Sequence, residues 1–203
     1  GCNICIASWH DGVPVRCTQN ATAGEEWRRG WHPERFTKAS QPDKVLVVGG
    51  GPAGLEAALI AAKQGFEVTI AEQTDDWGGR VLQESQLPGM ATWRRVRDYR
   101  VWALSQMGNV SMYANSELDA EAALSFGADH IAVATGARWT KRLYSALEIP
   151  AEPLDLPQIL TPEDVFAGSL SADRLLVFDY DNYYLGGVIA EHLAEQGKAV
   201  SYA

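Results

Sequence analysis

Cysteine is scarce in this chain of 203 residues and is confined to one end of it. The three cysteines are Cys2, Cys5 and Cys17, and none follows in the remaining sequence. An odd number of thiols crowded into one short stretch is a poor framework for structural disulfides. The first residues also lack the basic and long apolar regions of a signal peptide. We therefore expect a cytoplasmic protein without structural disulfides.

Basic residues are outnumbered by acidic ones, and long apolar runs are absent. Lys and Arg together number 17 against 26 Asp and Glu, which gives a formal net charge of −9. Phosphate backbones would be repelled by that charge, so nucleic acid is excluded as a general partner. No apolar run is long enough to span a bilayer, so we expect no membrane segment. The hydrophobic fraction of 46% is that of an ordinary globular domain.

An initiator methionine is also missing, since the chain begins at Gly1. We interpret this as the first sign of a piece cut from a longer polypeptide, and the second βαβ unit, which stops as soon as its second strand is made, predicts a cut at the other end as well. Changes in sequence character predict three parts. Residues 1–40 form a polar segment that contains the cysteines, residues 41–170 form an incomplete nucleotide-binding domain, and residues 171–203 begin a second such domain.

The best-defined pattern is a strand, a glycine turn, a helix and a second strand. Lys44–Val48 is a β-branched apolar run of the kind that a parallel sheet buries on both faces. The glycine-rich residues 49–54 follow at once, then an Ala-rich helix over residues 55–64 and a strand over residues 66–71. This is one βαβ unit, and it predicts an α/β fold of the Rossmann type with three layers around a parallel sheet.

Further elements are expected on both sides of the middle of the chain. They are a helix over 93–107, a strand over 110–113, a helix over 120–126, a strand over 130–134 and a short helix that starts at Thr161 and closes at Gly168. The proline-containing residues 140–160 are predicted to form a connecting segment.

Three glycines of the turn have the roles that nucleotide binding requires of such a turn. Gly49 makes the tight turn, Gly51 lets the backbone approach a pyrophosphate, and Gly54 permits close packing of helix on strand. The free N–H groups at the helix start then face the phosphates. Glu72, at the end of the second strand, can accept hydrogen bonds from an adenosine ribose and repel a 2′-phosphate. Adenine-nucleotide binding is favoured here over a merely structural glycine turn.

Two further backbone segments are candidates for the same site. Gly79 and Arg80 follow a tryptophan and offer close approach and a cation to a diphosphate or flavin, although a simple turn with a solvated arginine fits equally. Thr135 and Gly136 follow a buried strand and either approach the nucleotide or merely end the strand. The predicted cofactor-binding residues are Gly49, Gly51, Pro52, Ala53, Gly54, Glu72, Gly79, Arg80, Thr135 and Gly136.

A second βαβ unit begins near the end of the chain, with strands over 174–178 and 198–202 and a helix over 187–196. Its turn carries Asp179, Asp181 and three bulky side chains where glycines are expected. Carboxylates would repel a pyrophosphate there, so this unit is predicted to bind no nicotinamide cofactor. The alternative is that Gly186 and Gly187 serve as the turn.

The cysteine spacing indicates a binding site for a metal ion or an iron–sulfur cluster, for which thiolates are soft ligands. Cys2 and Cys5 are separated by two residues, and Cys17 follows after eleven more. A fourth thiol just before Gly1 would complete an iron–sulfur site. Zinc held with His10 or His32 fits the spacing equally well.

The chain resembles the trimethylamine dehydrogenase family, a branch of the old yellow enzyme and 2,4-dienoyl-CoA reductase lineage. The most specific stretch is CTQNATAGEEWRRGWHPE at residues 17–34. The likeness continues through the glycine turn, RDYR at 97–100, ATGARW at 134–139 and LTPE at 160–163. It extends over essentially all 203 residues.

The resemblance implies a large enzyme of which this chain is the C-terminal portion. An N-terminal TIM barrel, absent here, would hold FMN and the small amine substrate, so no residue of this chain is expected to be catalytic. Cys2, Cys5 and Cys17 would be three of the four ligands of a 4Fe-4S cluster. A glutathione-reductase-like domain would bind ADP or FAD. The implied partners are an electron-transferring flavoprotein and a second copy of the parent protein.

Two other hypotheses compete with this one. The chain could instead belong to an NAD(P)H-dependent dienoyl-CoA or enoate reductase, for which a glycine-rich second turn would be expected. It could also be a stand-alone nucleotide-binding module whose cysteines hold zinc or nothing.

Overall fold

The structure is a computed structural model that describes residues 4–10, 12–32, 35–141, 156–168, 170–179 and 183–203. Its helices are α1 (Ile4–His10), α2 (Glu26–Arg29), α3 (Pro52–Gln64), α4 (Arg80–Glu84), α5 (Arg94–Ser105), α6 (Ala120–Ser125), α7 (Pro162–Phe166) and α8 (Tyr184–Glu195). Its strands are β1 (Lys44–Val48), β2 (Glu67–Ala71), β3 (Val110–Tyr113), β4 (His130–Val133), β5 (Arg174–Val177) and β6 (Ala199–Tyr202). None of the described helices combines the length and apolar character needed to cross a membrane.

Contacts divide the chain into two compact units. The first comprises residues 1–85 and 92–136, and the second comprises residues 86–91 and 137–203. Most of the predicted connection, residues 142–155, lies outside the described residues.

The first unit is built on a parallel four-stranded sheet in the order β3-β2-β1-β4. β1 occupies an inner position, where Val48 lies opposite Ala71 of β2 and Val133 of β4. Leu46 and Val47 are fully buried, because successive side chains of this strand point to opposite, covered faces. The predicted Rossmann-type α/β fold is confirmed.

The core of the first unit lies on both faces of this sheet, which gives three layers. The larger cluster fills the space between the sheet and helices α3 and α5, and includes Val45, Val47, Ile70, Leu55, Leu59 and Leu104. The smaller cluster lies on the opposite face and includes Leu46, Val48 and Ala123. The sheet and α3 together fix the position of the glycine turn that joins β1 to α3.

Two helices begin earlier than the sequence predicts. α3 starts at Pro52 rather than at residue 55, because proline has a helix-compatible φ and the first turn does not need its missing N–H. It ends as predicted at Gly65, which adopts a left-handed conformation with φ of 103°. α8 starts at Tyr184 rather than at Gly187, so the glycine pair lies inside its first turn.

The second unit contains the predicted pair of parallel strands, with Val177 of β5 opposite Tyr202 of β6. Leu185, Ile189 and Leu193 of α8 are buried at helical spacing. The short helix α7 begins as predicted after Thr161, where reciprocal side-chain hydrogen bonds with Asp164 form a capping box.

Candidate functional site

The glycine turn after β1 allows three backbone segments to approach one another closely. Gly49 has a φ of 107°, and a Cβ built on it would lie on the carbonyl oxygen of Ala134. A Cβ on Gly54 would lie on the carbonyl oxygen of Gly49. Both positions therefore exclude any side chain, and the predicted roles of these glycines in turning and in packing match this geometry.

Gly51 differs from Gly49 and Gly54 because the space that its side chain would enter is unoccupied. A Cβ there would meet no atom within 4 Å, and the residue is the extended N-cap of α3. The N–H groups of Ala53 and Gly54 lie in the first helical turn, where they have no carbonyl partner within the helix. This open space at a helix N-terminus fits a pyrophosphate, so the described residues fit an adenine dinucleotide or ADP.

A second glycine-bearing turn, residues 77–79, packs on the first. The N–H of Gly78 donates to the carbonyl of Gly50 over 2.9 Å. The indole of Trp77 covers Gly50 so closely that a Cβ on that glycine would come within 2.6 Å of the ring. Arg97 of α5 donates from Nε to the Trp77 carbonyl over 2.9 Å. The two turns therefore form one assembly, held in place by α5.

The predicted ribose-binding acid, Glu72, lies buried beside the glycine turn. Only 6% of the residue is exposed. Its Oε2 accepts from the Gly50 N–H over 2.7 Å, and its Oε1 accepts from the N–H of Thr74 over 2.9 Å. The structure therefore brings Glu72 together with the turn, as expected. It adds a hydrogen bond donated by the glycine turn to the acid, which the sequence does not signal.

Arg80, the predicted diphosphate ligand, begins α4 directly after the second turn. Its Nε lies 2.8 Å from Oε1 of Glu84, one helical turn later. The Glu84 side chain is buried, while 44% of the Arg80 side chain is exposed. The helix α4, which the sequence did not predict, thus places the Arg80 guanidinium beside the buried carboxylate of Glu84.

Thr135 and Gly136 lie next to the glycine turn, at the carboxyl end of β4. The N–H of Ala134 donates to the carbonyl of Val48 over 2.8 Å, and Gly136 has a φ of 85°. The backbone nitrogen of Thr135 would be 3.1 Å from a Cβ on Gly49. Thr135 therefore lies beside the glycine turn, and contact of either residue with a nucleotide stays a prediction.

Arg100 ties the N-terminal segment to the domain core. The side chain is 4% exposed, and its Nε donates to Oε2 of Glu56 on α3 over 2.6 Å. Its other nitrogens reach the carbonyls of Val96, over 2.8 Å, and Gln19, over 3.4 Å. Sequence reasoning assigned no such role to this residue, because its partners on α3 and at Gln19 are remote in the chain.

The two described cysteines lie in the N-terminal segment with free thiols. Cys5 is exposed on α1, and Cys17 is half-buried. Cys2 lies outside the described residues. Among the residues that the structure does describe, no group of three or more His, Cys, Asp or Glu side chains could hold a metal ion. The proposed ligand set of three cysteines therefore stays a prediction.

A buried carboxylate organises the same segment. The Glu25 side chain is 7% exposed and lies 2.7 Å from Arg16, 2.7 Å from Arg28 and 3.1 Å from Arg29. The hydrogen bond from Arg28 lowers the pKa of Glu25, and the charges of all three arginines act in the same direction against the effect of burial.

This lowered pKa predicts a loss of stability in acid. Because the folded pKa lies below the unfolded value, Glu25 contributes stability above about pH 4.5 and loses it as the pH falls through the folded pKa. We expect the melting temperature of the wild type to fall more steeply below pH 4.5 than that of Glu25→Gln, which cannot titrate at this position. Equal slopes for the two proteins would contradict the prediction.

The turn that follows β5 in the second unit contains a packed acid, Asp179, whereas the turn that follows β1 in the first unit is rich in glycine. The Tyr202 hydroxyl donates to Oδ2 of Asp179 over 2.6 Å, which raises the pKa of Tyr202. A Cβ on Gly186 would come within 2.5 Å of the Asp179 carboxyl carbon. Residues 180–182 of this turn lie outside the described part of the chain. That the second unit binds no nicotinamide cofactor stays a prediction. The packed carboxylate of Asp179 favours this prediction, because it would repel a pyrophosphate.

Comparison with known proteins agrees with the geometry of the first unit. A family model described as pyridine nucleotide-disulphide oxidoreductase matches residues 15–156. The chain belongs to this family. Dimethylamine dehydrogenase of Hyphomicrobium sp. (strain x) is 38% identical over the whole chain. Among solved structures, 6-hydroxypseudooxynicotine amine oxidase from Pseudomonas geniculata N1 is 47% identical with a TM-score of 0.91. Histamine dehydrogenase from Rhizobium sp. 4-9 is 45% identical with a TM-score of 0.88.

These relatives confirm the resemblance to the amine dehydrogenases and the flavoprotein-type Rossmann fold of this member of the pyridine nucleotide-disulphide oxidoreductase family. Both solved structures match all of the chain. The chain spans only 29% of the length of the dimethylamine dehydrogenase, and 31% and 30% of the two solved chains.

Proposed function

We propose that this chain is the nucleotide-binding and electron-relay portion of an iron–sulfur flavoprotein that oxidises the C–N bond of a small amine. The observation that carries this proposal is the open helix N-terminus at Gly51, framed by Glu72 and the second glycine turn, in a chain that matches amine dehydrogenases over its full length. The amine, its FMN and the catalytic residues would belong to a barrel outside this chain.

The residues of the candidate site would hold ADP or the ADP half of FAD. The N–H groups at the start of α3 would bind the pyrophosphate beside Gly51, with the exposed part of Arg80 supplying positive charge. Glu72 would accept a hydrogen bond from the ribose. When bound, FAD would supply a two-electron redox centre, whereas ADP would supply binding energy alone.

The cysteine segment would provide the electron path. We propose that Cys2, Cys5 and Cys17 bind a 4Fe-4S cluster together with a fourth thiol that precedes Gly1 in the parent protein. Electrons would leave to an electron-transferring flavoprotein, and the stretch from Trp93 to Tyr99 is a candidate for its docking surface. In that stretch Tyr99 is 47% exposed, whereas Trp93 is buried. We further propose a cytoplasmic homodimer of the parent protein.

Replacing Gly51 by valine tests the proposed function without disturbing the fold. The new side chain begins in open space at an ordinary φ of −71°. Because valine is a poorer N-cap residue than glycine, the melting temperature should fall by only roughly 2–4 °C. The valine side chain would fill the space proposed for the pyrophosphate, so ADP affinity measured by calorimetry on nucleotide-free protein should fall roughly tenfold or more. The matched control is Gly108→Val, also in open space, which should change neither quantity.

Protein purified without removal of its nucleotide identifies what the intact parent protein carries. Acid release and chromatography of the wild type should yield ADP or FAD, and Gly51→Val should yield neither. Iron and sulfide should accompany the parent protein, which supplies the fourth thiol. Zinc without iron would overturn the cluster, and unchanged ADP affinity in Gly51→Val would overturn the nucleotide site.

A further inference from the structure

Hydrogen bonds from the protein occupy most of the acceptor positions of the Glu72 carboxylate. A carboxylate has about four acceptor positions, two on each oxygen. The N–H of Gly50 occupies one position on Oε2. The N–H and the hydroxyl of Thr74 occupy both positions on Oε1, over 2.9 and 2.8 Å. One acceptor position, on Oε2, is left for a hydroxyl of a bound ribose.

The hydroxyl of Thr74 is held in this arrangement by the loop around it. The Thr74 carbonyl accepts from the N–H of Asn115 over 2.9 Å, and Asn115 has a left-handed φ of 51°. The side-chain amide of Asn115 also donates to Oδ1 of Asp75 over 2.9 Å. The carbonyl of Asp76 also lies 3.0 Å from this hydroxyl, but the hydroxyl has a single proton, and the charged carboxylate at 2.8 Å is the stronger acceptor. With its carbonyl bound by Asn115 and its hydroxyl bound to Oε1, Thr74 occupies the acceptor position of Glu72 that a second ribose hydroxyl would need.

We propose that Thr74 is a specificity-determining residue that restricts Glu72 to a single ribose hydroxyl. This inference rests on the proposed nucleotide site. A ribose offers two neighbouring hydroxyls, and an unhindered carboxylate can accept from both. With Oε1 occupied by Thr74, only the hydroxyl that reaches Oε2 contributes to affinity.

Calorimetry with three nucleotides tests the proposal on nucleotide-free protein. The probes are ADP, 2′-deoxy-ADP and 3′-deoxy-ADP. In the wild type, removing one hydroxyl should weaken binding roughly ten- to a hundredfold, the cost of a hydrogen bond to a charged acceptor. Removing the other should change affinity less than roughly twofold. Equal losses for both analogues would overturn the proposal.

A pair of variants isolates the hydroxyl of Thr74. Thr74→Ser keeps the hydroxyl and should keep the wild-type pattern. Thr74→Ala frees one position on Oε1, so both deoxy analogues should then bind roughly tenfold more weakly than ADP. Thr74→Ser should keep the melting temperature, whereas Thr74→Ala loses a hydrogen bond to a buried carboxylate and should lower it by roughly a few degrees, so both variants stay folded for calorimetry. A Thr74→Ala protein that still distinguishes only one hydroxyl would overturn the proposal.

Failure of this inference is distinguishable from failure of the proposed function. If ADP binds and Gly51→Val abolishes binding, the nucleotide site stands whatever the deoxy analogues do. If neither hydroxyl affects affinity in that case, Glu72 does not bind the ribose and the role of Thr74 is refuted. If ADP does not bind the wild type, both proposals fail together.

Discussion

Replacing Gly54 by alanine is expected to destabilise the protein by about 3 kcal/mol and to abolish nucleotide binding. The added methyl group would lie on the carbonyl oxygen of Gly49 and 3.3 Å from the Cβ of Ala134. Neither neighbour is a flexible side chain, so the backbone of the glycine turn has to move. Chemical denaturation measures the first effect, and calorimetry with ADP measures the second.

The control for this substitution is Gly187→Ala in the first turn of α8. Gly187 is exposed, and a Cβ there meets no atom within 4 Å. Alanine has a higher helix propensity than glycine, so this variant should gain about 0.5 to 1 kcal/mol of stability. If Gly54→Ala proved as stable as the wild type, the close approach of α3 to the turn would be refuted.

Replacing Arg100 by alanine is expected to cost about 3 kcal/mol of stability and to loosen the N-terminal segment. The change removes a buried cation, leaves Glu56 without its partner at 2.6 Å, and breaks the link to the Gln19 carbonyl. Because Gln19 lies two residues after Cys17, amide exchange around that cysteine should accelerate. Denaturation and hydrogen exchange followed by mass spectrometry measure the two effects.

The matched control is Arg94→Ala, which removes an exposed arginine from the first turn of the same helix. It should change the free energy of unfolding by less than about 0.5 kcal/mol. In a double-mutant cycle, Glu56→Gln should be less harmful in the Arg100→Ala background than in the wild type, because the carboxylate has already lost its partner. Additive effects would show that the pair contributes little.

Features set by neighbouring residues could be predicted from the sequence. The strand, glycine turn, helix and acid from Lys44 to Glu72 occur within one continuous stretch, where apolar run, turn chemistry and helix stop all agree. The three glycines of the turn and Glu72 therefore come together as expected. The end of α3 at Gly65 was predictable for the same reason.

Features set by distant partners could not be predicted in this way. Arg100 meets Glu56 and Gln19, which precede it by 44 and 81 residues, and no local pattern signals such contacts. Glu84 was missed because α4 has only five residues, too few to show a helical period. The four-residue spacing from Arg80 was its only local sign.

The start of α8 shows a signal that was present and misread. The glycine pair suggested a turn, and the predicted helix began at Gly187. The buried residues Leu185, Ile189 and Leu193 recur at intervals of four, a period that already includes the first turn. Gly186 is compatible with the helix and is needed there, because Asp179 fills the space of its absent side chain.

The hydrogen bond from Gly50 to Glu72 has a consequence for attempts to redesign cofactor preference. Exchange of an acid at the end of the second strand is the obvious way to admit a 2′-phosphate. In this protein the same carboxylate accepts a hydrogen bond from the backbone of the glycine turn, so losing it would also leave a buried N–H without its acceptor. Recognition of the sugar and binding of the phosphates would therefore both depend on Glu72. A successful redesign has to rebuild the glycine turn together with the acid.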